Sequence, residues 1–292
     1  MPFITVGEEN ADTVDLYYED HGSGRPVVLI HGWPLNGASW EKQEAALLAA
    51  GHRVITYDRR GFGASDKPAS GYDYDTFAAD LHAVLSRLDL RDVILVGFSM
   101  GTGEVVRYLG GYGSERISGA VMLGVVPPFP ARTDAHPDGL VGSALREVRG
   151  AVRADRPAFV AGFLADFYGV DVLGGERVSD QVVQYSWDIG VAASAEAPLV
   201  RAPARLTDFR ADLARIDVPV LVVHGDADRT LPLSSTAVPL CRSVADARLV
   251  VLRGAPHGLI WTHADEVNEE LLAFVAARRP ECEALDHHLV EC

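Results

Sequence analysis

Lysine is almost missing from this chain: of 26 basic residues only Lys42 and Lys67 are lysines, and 41 acidic residues outnumber them all. The resulting formal net charge of -15 repels phosphate backbones and anionic lipid headgroups, so neither nucleic acid nor a charged membrane surface is an expected partner. Cysteine is scarce too. Cys241, Cys282 and Cys292 form an odd set without a C-x-x-C pair, a pattern that speaks against a disulfide framework and for a reducing, cytoplasmic compartment. No apolar run approaches the length needed to span a bilayer, and Met1 to Glu9 lacks the basic start and long apolar core of a signal peptide. Internal repeats and low-complexity segments are absent as well. What remains is a globular composition, with 48% hydrophobic and 23% charged residues over 292 positions, a length that suits one core carrying an insertion.

The most informative stretch is Gly97-Phe98-Ser99-Met100-Gly101. It follows the apolar run Asp92 to Val96 and opens a helix-like segment, so it has the form of a nucleophile elbow: a serine on a sharp turn from strand to helix, flanked by residues without bulk. The N-H of Met100 would then lie at a helix N-terminus, where it can receive a developing oxyanion. A serine hydroxyl is a weak nucleophile near neutral pH, so the rest of the chain should supply a base, a carboxylate to orient it, and a second N-H.

Alternating segments surround the elbow. Phe3 to Val6 and Val14 to Tyr18 suit a short strand meander, and Pro26 to Ile30, Arg53 to Tyr57, Ile117 to Val126, Pro219 to Val223 and Arg248 to Leu252 suit buried strands. Ser39 to Ala50, Tyr74 to Leu88, Gly103 to Leu109, Ser234 to Val244 and Ala264 to Ala277 have helical spacing, with Gly51 and the Gly110, Gly111, Gly113 group as stop signals. Such alternation implies a mainly parallel sheet of about eight strands with helices on both faces. Between 127 and 216 helix-like segments such as Pro157 to Tyr168 and Val178 to Ile189 occur without a convincing strand. That divides the chain into a core, 1-126 and 217-278, a helical cap, 127-216, and a polar tail, 279-292, in which His287 and His288 are expected to be solvated.

In open parallel sheets ligands bind where strands end, so the loops after strands are where partners for Ser99 belong. His257, in Gly254-Ala255-Pro256-His257-Gly258, is the best base; His31 and His224 precede glycines at strand ends and suit turn or packing roles. Asp226 and Asp228 both follow the preceding strand, and Asp228 reaches further toward a neighbouring loop. Gly32, just after a buried strand, makes the Trp33 N-H a candidate second oxyanion donor. Asp58 to Asp66 lacks the lysine-serine end of a phosphate-binding loop and is taken as a structural turn. Of the cap aromatics most form the cap's own core. The residues assigned to a substrate pocket are Pro34, Phe129, Phe163, Trp187 and Leu259.

Five stretches together resemble the α/β-hydrolase superfamily, and within it the cofactor-free bacterial haloperoxidase, aryl esterase and perhydrolase branch. They are His31 to Leu35, Asp58 to Ser65, Gly97 to Arg107, His224 to Pro232 and Gly254 to Leu259. The resemblance implies Ser99 as nucleophile, Asp228 rather than Asp226 as acid, His257 as base, and Trp33 and Met100 as oxyanion donors, with no metal and no cofactor. It implies an acyl-enzyme formed from a small ester or acyl substrate and released to water or to hydrogen peroxide, the latter giving a peracid. Pro34, after the oxyanion-loop tryptophan, goes with peroxide use in related enzymes. The cap and tail depart from the branch and leave open the natural substrate and a homo-oligomer. Two other readings suit the same fold: a carbon-carbon bond hydrolase or lactonase of a specialised pathway, and a ligand-binding receptor.

Overall fold

Runs such as Val27 to Ile30 and Val220 to Val223 offer no polar side chain to water, so they are stable only in a sheet covered on both faces. In a computed structural model, which describes residues 2-128, 142-195 and 207-277, they lie inside a sheet of eight strands. The strands are β1 (Phe3–Glu9), β2 (Asp12–His21), β3 (Pro26–Ile30), β4 (Arg53–Tyr57), β5 (Val93–Phe98), β6 (Ile117–Leu123), β7 (Val220–Gly225) and β8 (Ala247–Leu252), in the order β1-β2-β4-β3-β5-β6-β7-β8. β2 runs antiparallel to β1 and β4, and every pair from β4 across to β8 is parallel. Parallel neighbours need crossovers, which α1 (Glu41–Ala49), α2 (Tyr74–Arg87) and α3 (Met100–Tyr112) supply in the first half. Side chains alternate across the sheet: Val93 and Leu95 of β5 pack with Phe77 and Leu81 of α2, whereas Ile94, Val96 and Phe98 pack in a second core with Leu47 of α1.

Between β6 and β7 the described chain is helical, with α4 (Gly142–Ala154), α5 (Arg156–Tyr168), α6 (Val170–Leu173), α7 (Asp180–Ala192) and α8 (Arg210–Leu213), apart from an isolated bridge of Gly174 with Val178. Asp155 caps α5 by accepting from the Ala158 N-H at 3.0 Å, and Gly169 ends it in the left-handed conformation. α5 turns Val160, Leu164 and Phe167 onto the core that holds Phe98. α9 (Ala237–Ser243), α10 (Leu259–Thr262) and α11 (Ala264–Ala276) complete the chain as described. Among the described residues no helix is long and apolar enough to cross a membrane. Phe129, Cys282, His287, His288 and Cys292 lie outside the described residues.

Three expected boundaries are corrected. Gly110 and Gly111 lie within α3 rather than ending it; a Cβ on Gly110 would come within 2.4 Å of Asp212, so that glycine serves close packing with α8, and Gly113, at φ +76°, is the stop. The helix expected from Ser39 begins at Glu41, after a 3-10 turn at Gly37–Trp40 that Asn36 caps. β6 ends at Leu123 and not at Val126, because Gly124 turns the chain at φ +56° and the next two N-H groups leave the sheet. The Val125 N-H goes to His224 Nδ1 at 3.2 Å and the Val126 N-H to Thr102 Oγ1 at 3.0 Å.

Candidate active site

Ser99 stands between β5 and α3 at φ 51° and ψ -118°, a region costly for a residue with a Cβ. The turn is locked from both sides: the Ser99 N-H donates to the Leu123 carbonyl at 2.8 Å, and the Ser99 carbonyl accepts from the Thr102 N-H at 2.9 Å and its hydroxyl at 2.6 Å. A Cβ on Gly101 would sit 2.2 Å from the Ile30 carbonyl oxygen, so only glycine lets α3 approach β3 this closely.

His257 is fully buried. Its Nε2 lies 2.8 Å from Ser99 Oγ and its Nδ1 lies 2.6 Å from Asp228 Oδ2. The ring is packed against Phe98 and Phe167 at centroid distances of 5.3 and 5.2 Å. Its loop is tied to α5, since the Gly258 N-H donates to the Phe167 carbonyl at 2.7 Å. Asp228 Oδ1 accepts from the N-H groups of Thr230 and Leu231 at 2.9 and 2.7 Å. Burial alone would push this carboxyl up, but the attraction of His257 and the hydrogen bonds from His224 and His257 outweigh it and hold Asp228 well below the usual carboxylate range. Its folded value being depressed, the stability it contributes is fully present above about pH 4 and is lost as pH falls through the folded value. Asp226 turns elsewhere: its Oδ1 accepts from the Gly254 N-H at 2.6 Å.

The loop after β3 lies directly on the serine, for a Cβ on Gly32 would be 2.9 Å from Ser99 Cβ. His31 is fully buried and anchors that loop. Its Nε2 accepts from the Arg59 N-H at 3.0 Å, which places its proton on Nδ1, 3.0 Å from the Gly32 carbonyl. Burial, with the Arg59 charge beside it, holds the imidazole neutral. Arg59 also donates from Nη2 to the His31 carbonyl at 2.9 Å and from Nε to Glu104 Oε2 at 2.7 Å, while the Tyr57 hydroxyl donates to Glu104 Oε1. Arg59 and Glu104 are both completely buried, and they join the loop at His31 to the helix that begins beside the serine. Among the described residues neither the Trp33 nor the Met100 N-H meets a protein acceptor.

The expected pocket residues separate. The Trp33 ring meets Phe163 at 4.9 Å, Pro34 packs where a Cβ on Gly190 of α7 would be 3.0 Å from its Cγ, and Leu259 is fully buried in the same core as Phe167. Trp187 is half-buried against that same core. Ser186, bonded to the Tyr168 hydroxyl at 2.7 Å, and Gly190 take the inward face of α7. Trp187 stands on the helix between them, at the edge of that face. Its Nε1 donates to the Pro157 carbonyl at 3.0 Å, and its ring lines an outer groove of about 470 Å³ with Ala158, Ala161 and Val183. Asp58 behaves as the turn residue expected, its carboxylate accepting from the N-H groups of Gly37 and Ala64 at 2.8 Å each. Nothing in the sequence marked the Arg59 and Glu104 pair, while His224, expected in a turn or packing role, stands beside Asp228, and Phe167, one of the cap aromatics, packs on His257. Among the described residues, Glu19, His21 and Glu44 bring metal-ligand atoms within 4.8 Å of one another on β2 and α1, with His21 Nε2 3.6 Å from Glu19 and 3.9 Å from Glu44.

A family model described as the alpha/beta hydrolase fold matches residues 25–264. The chain belongs to that family. Within the α/β hydrolases it groups with the non-heme haloperoxidases: it is 57% identical over 275 residues, 94% of this chain and 100% of the relative, to a protein of Synechocystis sp. that carries the provisional name non-heme chloroperoxidase. It is 35% identical to the bifunctional esterase/perhydrolase of Acinetobacter calcoaceticus, over 94% of this chain and 99% of the relative. Among solved structures, the bromoperoxidase of Bacillus anthracis superposes with a TM-score of 0.89 at 44% identity, covering 94% of this chain and 99% of that one.

Proposed function

We propose that this α/β hydrolase is a serine esterase in which Ser99, His257 and Asp228 form and break an acyl-enzyme, and that the acyl group passes to hydrogen peroxide as well as to water. The observation that carries the reading is the continuous contact from Ser99 Oγ to His257 Nε2, 2.8 Å, and from His257 Nδ1 to Asp228 Oδ2, 2.6 Å. Ser99 Oγ attacks the ester carbonyl carbon while His257 Nε2 takes its proton, and the carbonyl π electrons move onto oxygen. The N-H groups of Trp33 and Met100, which meet no protein acceptor among the described residues, receive that oxyanion. Collapse expels the alkoxide, which takes the proton back from His257 and leaves as alcohol. Water or hydrogen peroxide, deprotonated by the same imidazole, then attacks the acyl-serine and releases a carboxylic acid or a peracid.

The peroxide branch is supported by the esterase/perhydrolase relative and by Pro34 beside the oxyanion loop. The helices within 127-216 serve as a cap over a core of 1-126 and 217-278, with Phe163 and Pro34 as candidate substrate contacts. Asp228 stays ionised far below neutrality, so the carboxylate adds no ionisation of its own to the acid side of the rate profile. Accordingly kcat/KM is expected to fall there with a slope of one in log units, and a slope of two would introduce a second essential ionisation that this scheme lacks.

The scheme is tested by fluorophosphonate labelling with peptide mapping, followed by aryl ester turnover across a series of acyl lengths with and without hydrogen peroxide. Label is expected on Ser99. Pro34→Leu is expected to lower the ratio of peroxide-dependent to water-dependent turnover by about tenfold, the size of one contact at a transition state. Label absent from Ser99 removes the esterase reading, and an unchanged ratio in Pro34→Leu removes the role given to Pro34.

A further inference from the structure

His224, the penultimate residue of β7, is fully buried and lies beside the acid without a part in the scheme above. Its hydrogen bonds assign its tautomer. Nδ1 accepts from the Val125 N-H at 3.2 Å, which leaves the proton on Nε2. That Nε2-H lies 2.8 Å from the Leu231 carbonyl oxygen and 3.4 Å from Asp228 Oδ2. Asp228 Oδ1 thus accepts from two backbone N-H groups, while Oδ2, bonded to His257, has His224 Nε2 as a second imidazole neighbour. The other end of His224 holds the segment that follows β6. There a Cβ on Gly124 would be 3.3 Å from His257 Cε1, and Val126 bonds to the Thr102 hydroxyl that itself donates to the Ser99 carbonyl.

We propose that His224 is a positioning residue for the acid, its Nε2-H sharing Asp228 Oδ2 with His257 and so setting both the direction and the basicity of that oxygen. The proposal rests on the reading of Ser99, His257 and Asp228 as the reacting set. A donor on Oδ2 draws charge from the oxygen that faces His257. Without it the carboxylate is more basic, the His257 imidazolium is stabilised more strongly, and the base keeps its proton to higher pH. The neighbouring charged groups do not substitute for it. Arg229 turns out to Asp171 at 3.0 Å and Asp166 at 3.9 Å, and Asp226 turns to the Gly254 N-H. Among the described residues, the Val125 N-H bonds the ring from the end of β6, and from the loop after β8 the titratable neighbour is His257, through Asp228.

Two substitutions separate the ends of the ring. In His224→Gln the amide nitrogen takes the place of Nε2 and keeps a donor on Oδ2; in His224→Asn the amide oxygen takes the place of Nδ1, keeps the tie to Val125 and loses the donor. Each is measured with aryl esters per fluorophosphonate-titrated site, as kcat, KM and the pH profile of kcat/KM, beside its melting temperature. His224→Asn is expected to lose about tenfold in kcat with KM little changed, as for loss of a group that orients another. Its acid limb is expected to move to higher pH by about half a unit. His224→Gln is expected to keep the wild-type limb and most of kcat. Wild-type kcat and limb in both variants, whatever their melting temperatures, reduce His224 to packing, and loss in Gln with retention in Asn moves the role to Val125; either result overturns the proposal. Should neither variant fold, the tautomer in the wild-type protein decides, read from the nitrogen shifts of labelled histidine: a proton on Nε2 supports the proposal and a proton on Nδ1 overturns it. Failure of the underlying triad is a separate result, since then wild-type protein takes no label at Ser99.

Discussion

Replacement of Ser99 by alanine is expected to lower kcat on aryl esters on the order of 10⁵-fold and to abolish fluorophosphonate labelling, with melting temperature essentially unchanged. In the proposed scheme the hydroxyl forms the covalent bond, so its loss is expected to remove the acyl-enzyme route altogether. The oxyanion donors remain, so some catalysis over water persists. His257→Ala is expected to cost a similar factor, because an unassisted serine hydroxyl is a poor nucleophile. Since the two residues act as one unit, the double variant is expected to be no slower than the worse single one. Retention of more than a tenth of wild-type turnover in purified, active-site-titrated Ser99→Ala would remove Ser99 from the reaction.

Glu104→Leu is expected to be the most destabilising single change considered. It leaves the Arg59 guanidinium fully buried with its ion-pair partner gone, and among the described residues Arg59 Nη1 already has no hydrogen-bond partner. Removing one member of a buried pair costs about 3–5 kcal/mol, which for a chain of this size lowers the melting temperature by roughly 10 °C. Phe77, whose ring lies 5.0 Å from the guanidinium, offsets only a small part of that loss. The double variant Arg59→Met/Glu104→Leu is expected to regain most of the stability, because apolar groups of similar volume need no compensation. It is not expected to regain kcat, since the donor that holds the His31 carbonyl at 2.9 Å is gone and the oxyanion loop has lost its anchor. Urea unfolding of wild type, both singles and the double measures the stability cycle, and a cost under about 1 kcal/mol for Glu104→Leu would show that the pair contributes little.

The strands were legible because an apolar run has one stable destination, the middle of a covered sheet; Arg53 to Tyr57 was located to the residue. Helix limits were less legible. A glycine stops a helix or lets a neighbour approach, and at Gly110 the neighbour, Asp212, is 102 positions away in sequence. Trp187 shows the same limit at the level of a side chain. An amphipathic pattern says that α7 has an inward face, but only packing of Ser186 and Gly190 against Tyr168 and Pro34 sets the rotation of the helix, and that rotation leaves Trp187 half-buried at the edge of the face.

For the site the division is sharper. Local sequence was enough for the elbow and its glycines, and for the loops after the parallel strands as places for a base and an acid, because every parallel strand ends on the same edge of the sheet. Asp228 was preferred to Asp226 for its reach and by the family resemblance, whereas what stands behind Asp228 and beneath the loop at His31 and Gly32 emerged only in the assembled fold. Arg59 pairs with Glu104 across 45 positions and His224 with Val125 across 99, and nothing local marks a charged or titratable residue as one that will be buried. Its burial is stable only when distant segments bring the hydrogen bonds that replace water, and those partners exist only once the chain has folded.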